Sequence, residues 1–226
     1  MELLDEFKSD ILNKENHKLI EIVEDYLISR GNWFFTTHGK RGDEYKLKKE
    51  VEFIFNIDTT KIFIVGSSQL GFSITPTGKK YKFNHFRIDE ENGKEESDVD
   101  VAIISEEIFE SELRKLYDYL GAYHIKFLNE KFDGIARGND KDMRKVYFQD
   151  YATYLLKGWL RADKMPIGYE FLDTTIDTQL NQLRKMYNRK INIAIYKSLE
   201  YLKIYHLKNI EKIKEFLIVE EGKECQ

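Results

Sequence analysis

With 226 residues, 42% of them hydrophobic and 14% aromatic, the chain is long enough to bury a core as one domain, or as one domain with a helical appendage. A formal charge of −4 excludes a global field pulling it towards nucleic acid or an anionic membrane, although a local basic groove stays open. The single cysteine, Cys225, excludes an internal disulfide and a cysteine-built zinc site. No apolar run approaches the ~20 residues that span a bilayer, and the start Met1 to Glu6 has neither the basic end nor the apolar segment of a signal peptide. The expectation is a cytoplasmic protein without a membrane partner.

Leu4, Phe7 and Ile11, then Leu19, Ile22, Val23, Tyr26 and Leu27, recur at helical spacing, and the polar run Asn13 to Lys18 divides them into two helices. Gly31 reads as the stop. Trp33, Phe34 and Phe35 read as an apolar plug in a loop or short strand. Lys40, Arg41, Lys46, Lys48 and Lys49 could meet a polyanion; the interspersed Glu44, Glu50 and Glu52 make a solvated helix face the better reading.

Ile62 to Val65 reads as a buried strand and breaks at Gly66, Ser67 and Ser68. Gly66 permits close approach of a ligand to the backbone, and the two serines offer hydroxyl and amide donors. A helix opening at Ser68 would aim its free N–H groups at an anion held there. Residues 72–96 follow as an insert. Thr75 to Gly78 reads as a turn, Tyr81 to Asn84 alternates like a strand, and Asp89 to Glu96 reads as an acidic loop. Lys79, Lys80, Lys82, His85 and Arg87 among Tyr81, Phe83 and Phe86 fit either a nucleotide-binding surface or a two-strand flap with a solvated face. Ser97 to Ile104 then reads as a strand whose Asp98 and Asp100 project from one side while Val99 and Val101 enter the core. Two carboxylates held that close repel unless a cation sits between them, and hard oxygen ligands suit Mg²⁺, with Mn²⁺ as the substitute.

At these residues the chain resembles the DNA polymerase β-type nucleotidyltransferase superfamily, whose signature is an apolar strand, Gly-Ser, and Asp-apolar-Asp-apolar on the next strand. The match is Val65, Gly66, Ser67 and Ser68 with Asp98, Val99, Asp100 and Val101. The resemblance implies that Gly66, Ser67 and Ser68 hold the triphosphate of a nucleoside triphosphate and that Asp98 and Asp100 hold Mg²⁺. It spans Ile62 to Ile104, and the insert departs from the family's shorter connection.

Ser105 caps an expected helix to Leu120, and Asn139 opens a second expected helix to about Arg161, with Tyr151, Tyr154, Leu155 and Trp159 buried. The resemblance implies basic residues beyond the core strands at the triphosphate; Lys157 and Arg161 are the candidates, and both also fit as solvent-facing helix charges. Pro166 ends this element. A third helix is expected from Asp173 or Asp177 to Tyr187, then a strand to Tyr196 with Asn192, Ala194 and Tyr196 on one face. A last helix from Leu199 to Leu217 carries His206 on its apolar stripe, where it reads as a core residue, and the tail from Glu220 reads as frayed.

Active members of the family carry a third carboxylate on a later strand. The corresponding strand here offers Asn192, which could ligate a metal through its amide oxygen and cannot take a proton; Asp133, Asp173 and Asp177 are the nearest acids. The expectation is an α/β (α+β) fold: a small mixed sheet of the Ile62, Val99 and Ile191 strands flanked by helices. An N-terminal helical segment, 1–60, would pack on a core, 61–226, as one unit. The expected activity is Mg²⁺-dependent transfer of a nucleotide from a nucleoside triphosphate to a hydroxyl of a protein, RNA, nucleotide or small molecule. The alternative is a nucleotide-binding or partner-binding protein without turnover, and the resemblance points weakly to a toxin-antitoxin or defence setting.

Overall fold

The computed structural model describes residues 2–39, 42–77, 80–90, 95–120, 151–161, 164–165 and 169–224. Its centre is strand β4 (Val99–Ile104), which pairs antiparallel with β1 (Ile62–Val65) and parallel with β6 (Ile191–Tyr196). A two-residue strand, β5 (Trp159–Leu160), pairs antiparallel with β6, so the sheet order is β1-β4-β6-β5. The fold is a mixed α+β fold with helical ends, as the alternation of these strands implies.

Side-chain alternation divides the sheet. Val99, Val101 and Ile103 are at most 2% exposed. With Ile62, Ile64, Ile191 and Ile195 they pack against α4 (Asp43–Phe55), α6 (Glu106–Tyr119) and α8 (Thr174–Tyr187). Ser105 caps α6 by accepting from Ile108 N, as expected, and of the two expected starts of α8 it is Asp173 that caps, by accepting from Thr175 N. The basic residues of α4 sit on a solvated face, where Lys46, Lys48 and Lys49 pair with Asp43, Glu44 and Glu52. On the opposite face Val65, Ala102 and Tyr196 join Leu202 of the long helix α9 (Leu199–Glu224).

A second core lies beside the sheet. Helix α1 (Glu2–Asn13) ends where the polar run begins. It is followed by a 3₁₀ turn (Asn16–Lys18), α2 (Leu19–Ile22) and a π-helical stretch (Val23–Ser29). Phe7, Ile11, Leu19, Val23 and Tyr26 pack here on Ile210, Ile213 and Leu217 of α9. Trp33 to Phe35, expected as loop or strand, instead form a short helix, α3 (Trp33–Thr37), because Asn32 caps it by accepting from Phe35 N.

The insert folds as a hairpin of β2 (Phe72–Thr77) and β3 (Lys80–His85). Its aromatic side is committed to the second core: Phe72 and Phe83 lie 6.3 Å apart, and Tyr81 packs 5.6 Å from Phe216. The return leg is held at its end by Arg189, whose Nη1 donates to Ser97 O at 2.7 Å and whose guanidinium lies over Phe34 and Phe86.

The expected helix from Asn139 to Arg161 lies partly outside the described residues; residues 151–156 are helical (α7) and the helix then stops. The cause is Gly158, at φ +62, where an added Cβ would lie 2.4 Å from the Tyr201 ring, so the chain reverses and Trp159 enters the sheet. Helix α9 continues to Glu224, past the point where fraying was expected. Asp133, Pro166 and Cys225 lie outside the described residues. Among the described residues no helix is long and apolar enough to cross a membrane.

Candidate metal and nucleotide site

Strand register brings three polar side chains together. Asp100 stands opposite Asn192 in the parallel β4–β6 pair and opposite Val65 in the antiparallel β1–β4 pair, and Asp98 precedes β4 on the same face. Asn192 Nδ2 donates to Asp98 Oδ2 at 2.7 Å and to Asp100 Oδ1 at 3.0 Å. The residue at the third-strand position, far away in the chain, therefore bridges both acids.

Gly66 closes this corner from β1. Its φ of +71 and ψ of −148 belong to a region that side chains other than hydrogen exclude, and an added Cβ would lie 2.7 Å from Asp100 Oδ2. The following one-turn helix α5 (Ser67–Leu70) departs from the phosphate-cradle expectation at one residue. Ser68 is fully buried and its hydroxyl donates to Val65 O at 3.1 Å, so it serves the turn. Ser67 is half-buried at the start of the turn. Gln69 anchors the turn to the N-terminal helices by donating to Tyr26 O and Arg30 O and accepting from Asn32.

Burial pushes the Asp100 carboxyl above its ordinary range; the Asn192 hydrogen bond pulls it down, the Asp98 charge pushes it up, and Lys190 and Arg161 pull it down. Lys190 Nζ lies 3.6 Å from Asp98 Oδ2 and is 69% exposed, so water screens that pair. The acids thus lack a close, desolvated cation among the described residues. Two carboxylates and an amide make a hard-oxygen donor set once the amide turns over to present Oδ1, and N and O of an amide occupy the same shape. Among the described residues no group of three or more His, Cys, Asp or Glu side chains comes together as a metal cluster.

The corner opens into a cleft of about 600 Å³. Gly66, Asp100, Asn192, Lys190, Arg184 and Asp177 line its polar end, and Arg161 reaches it too. Lys157 is not among the lining residues; its ammonium lies over the rings of Tyr154 and Tyr205 at 4.8 and 5.6 Å. Of the two expected basic residues, Arg161 therefore faces the cleft and Lys157 faces an aromatic cluster. Asp177, one of the alternative acids, lines the cleft 3.9 Å from Arg184.

The opposite end of the cleft was missed by sequence reasoning. Trp159, Tyr196, Tyr205 and His206 line it. Tyr196 was legible, because alternation puts it on the Asn192 face; Trp159 was assigned to a helix that Gly158 ends. The chain matches no protein-family model, no curated protein and no solved structure.

Proposed function

We propose that the protein is a Mg²⁺-dependent nucleotidyltransferase that moves a nucleoside monophosphate from a nucleoside triphosphate to a hydroxyl acceptor, with pyrophosphate leaving. The observation that carries this reading is the meeting of Asp98, Asp100 and Asn192 beside Gly66 at the polar end of a nucleotide-sized cleft. Asp98 and Asp100, with Asn192 as a neutral third donor, are the residues that would hold Mg²⁺. Bound there, the ion supplies charge neutralisation at the transferring phosphoryl group. Gly66 keeps the backbone low enough for phosphate oxygens to approach. Arg161, Arg184 and Lys190 offset the three carboxylates of Asp98, Asp100 and Asp177, so that with Mg²⁺ held by the acids the cleft would carry a net positive charge suited to a polyphosphate. Asp177 is the lining acid beside Asp100 among the described residues and is the candidate acceptor for the attacking hydroxyl's proton.

Asn192 favours a second reading, a nucleotide-binding protein without turnover, since an amide at the third position cannot take a proton. Thermal melting with each ribonucleoside triphosphate, with and without Mg²⁺, tests the site. A ligand at a hundred times its dissociation constant adds about 2.7 kcal/mol of stability. That shift is expected with Mg²⁺ and absent in Asp98→Ala/Asp100→Ala; no shift with any triphosphate would overturn the reading. Pyrophosphate release in the presence of candidate acceptors then separates transfer from binding alone.

A further inference from the structure

Helix α9 carries apolar residues on two opposite sides. Its inner row, Leu202, Ile210, Ile213 and Leu217, is buried against the sheet and the N-terminal helices. On the outer side Tyr201, Ile204, Ile218 and Val219 stand 37%, 43%, 53% and 54% exposed. A helix that only closes the core would be polar there. The neighbours of α9 meet its flanks: Glu24 pairs with Lys203, Lys14 O accepts from Lys214 Nζ, and Tyr81 packs on Phe216. The strip between those flanks faces outward.

This strip is apolar at its ends and charged in its middle, where Lys208, Glu211, Lys212 and Glu215 stand. Lys208 Nζ lies 2.7 Å from Glu211 Oε2, but the two side chains are 65% and 36% exposed, so water screens the pair and holds neither in place. Two positive and two negative charges make the strip neutral within a chain of net charge −4, so like copies meet here without local repulsion.

The order of these residues matches itself when reversed. An antiparallel pair of α9 helices, turned about a two-fold axis between Glu211 and Lys212, sets Ile204 beside Val219, Lys208 beside Glu215 and Glu211 beside Lys212 of the second copy. Ile204 and Val219 lie about 22 Å apart along the helix, so the match runs over four turns. Sliding the pair by one turn sets Ile204 against Glu215 or Lys208 against Val219, and a parallel pair sets Lys208 on Lys208 and Glu215 on Glu215. Only the two-fold antiparallel arrangement satisfies every position.

We propose that the outer face of α9 is a docking surface for a second copy of this chain, paired antiparallel about that axis. Self-complementarity is the requirement of an isologous interface, and a different partner would impose no such reversal symmetry on the strip. One helix face buries less than the ~800 Å² per partner of a standard interface, so the dimer is expected to form in the micromolar range.

Sedimentation equilibrium of the full chain from about 1 to about 100 µM tests this, and the parent is expected to rise from the monomer mass towards twice it. Lys208→Glu sets a carboxylate against Glu215 twice in the dimer, and Glu215→Lys sets an ammonium against Lys208 twice. Each is expected to weaken association about tenfold or more, and the double variant Lys208→Glu/Glu215→Lys, which exchanges the charges, is expected to restore it. Ile204→Asp, at an apolar end, is expected to weaken it to a similar degree. A parent that stays monomeric throughout would overturn the proposal. So would a dimer that keeps parental affinity in these single variants, or single charge variants that weaken it without recovery in the double. Circular dichroism verifies folding; should one variant fail to fold, the parent mass and the remaining variants decide.

Discussion

Glu112 and Asp100 are both carboxylates taken into the protein, and their surroundings are opposite. Glu112, on α6, is 4% exposed and fully engaged: Lys115 Nζ donates to it at 2.6 Å, Tyr169 Oη at 3.1 Å and Leu172 N at 3.2 Å. The last of these fixes a backbone at φ +65, a left-handed conformation that leucine seldom adopts, just before the cap of α8. Asp100 is half-buried, faces a second acid, and shares one amide with it. Charge is spent at Glu112 on holding a loop. At Asp100 it is held in repulsion, which is the state a cation relieves. The difference teaches that burial alone does not single out an acid for function; an unmatched charge among buried neighbours is what makes Asp100 the candidate.

The largest effect that could break this contrast belongs to Glu112. Glu112→Ala orphans the Leu172 N–H and removes one of the two acceptors of the Tyr169 hydroxyl, which keeps the backbone carbonyl of residue 112 at 3.1 Å; a loss of about 2–3 kcal/mol is expected, read by denaturant unfolding. A loss under about 1 kcal/mol would mean that the network is not the structural anchor its geometry makes it. Next comes Gly66→Ala, which forces alanine into φ +71 and its Cβ against Asp100 Oδ2. A loss of about 1–3 kcal/mol is expected, together with loss of the Mg²⁺-dependent melting shift.

Asp100→Asn sharpens the contrast from the other side. It removes the like-charge repulsion and keeps an amide for Asn192 to bond, so metal-free stability should stay within about 1 kcal/mol of the parent or rise above it. Mg²⁺ should no longer raise its melting temperature. A clear destabilisation in metal-free buffer would place Asp100 with Glu112 as a structural acid.

The smallest effect is on pH. Because the Asp100 carboxyl is raised in the folded protein, the folded state holds that proton more tightly than the unfolded state. Its contribution to stability is present below the unfolded value and is lost as pH rises through the folded one. In metal-free buffer the advantage of Asp100→Asn should therefore shrink as pH falls from neutrality into the carboxylate range, and the Mg²⁺ shift should fade with it. Parallel pH profiles for the parent and the variant would contradict a raised Asp100.

Much of the scaffold was legible. Ile62 to Val65, Val99 to Ile104 and Ile191 to Tyr196 announce themselves as strands because β-branched residues alternate with period two. Ser105 and Asp173 mark their helix starts through side-chain acceptors. Less legible were α3, too short for periodicity, and β5, whose two residues carry no pattern of their own. The inward turn of the Ser68 hydroxyl and the packing of Tyr81 and Phe83 into the second core depend on neighbours that local spacing does not name.

The sequence by itself determined the three central strands of the sheet and that Asp98 and Asp100 share a face, because alternation along a strand is local geometry. Only the tertiary structure decided that Asn192 stands between those acids and that Trp159 reaches the same cleft as His206. Register between segments some ninety residues apart, as at Asp100 and Asn192, comes from the packing of β4 and β6 against their helices. That packing is a property of the assembled core, and no stretch of chain carries it alone.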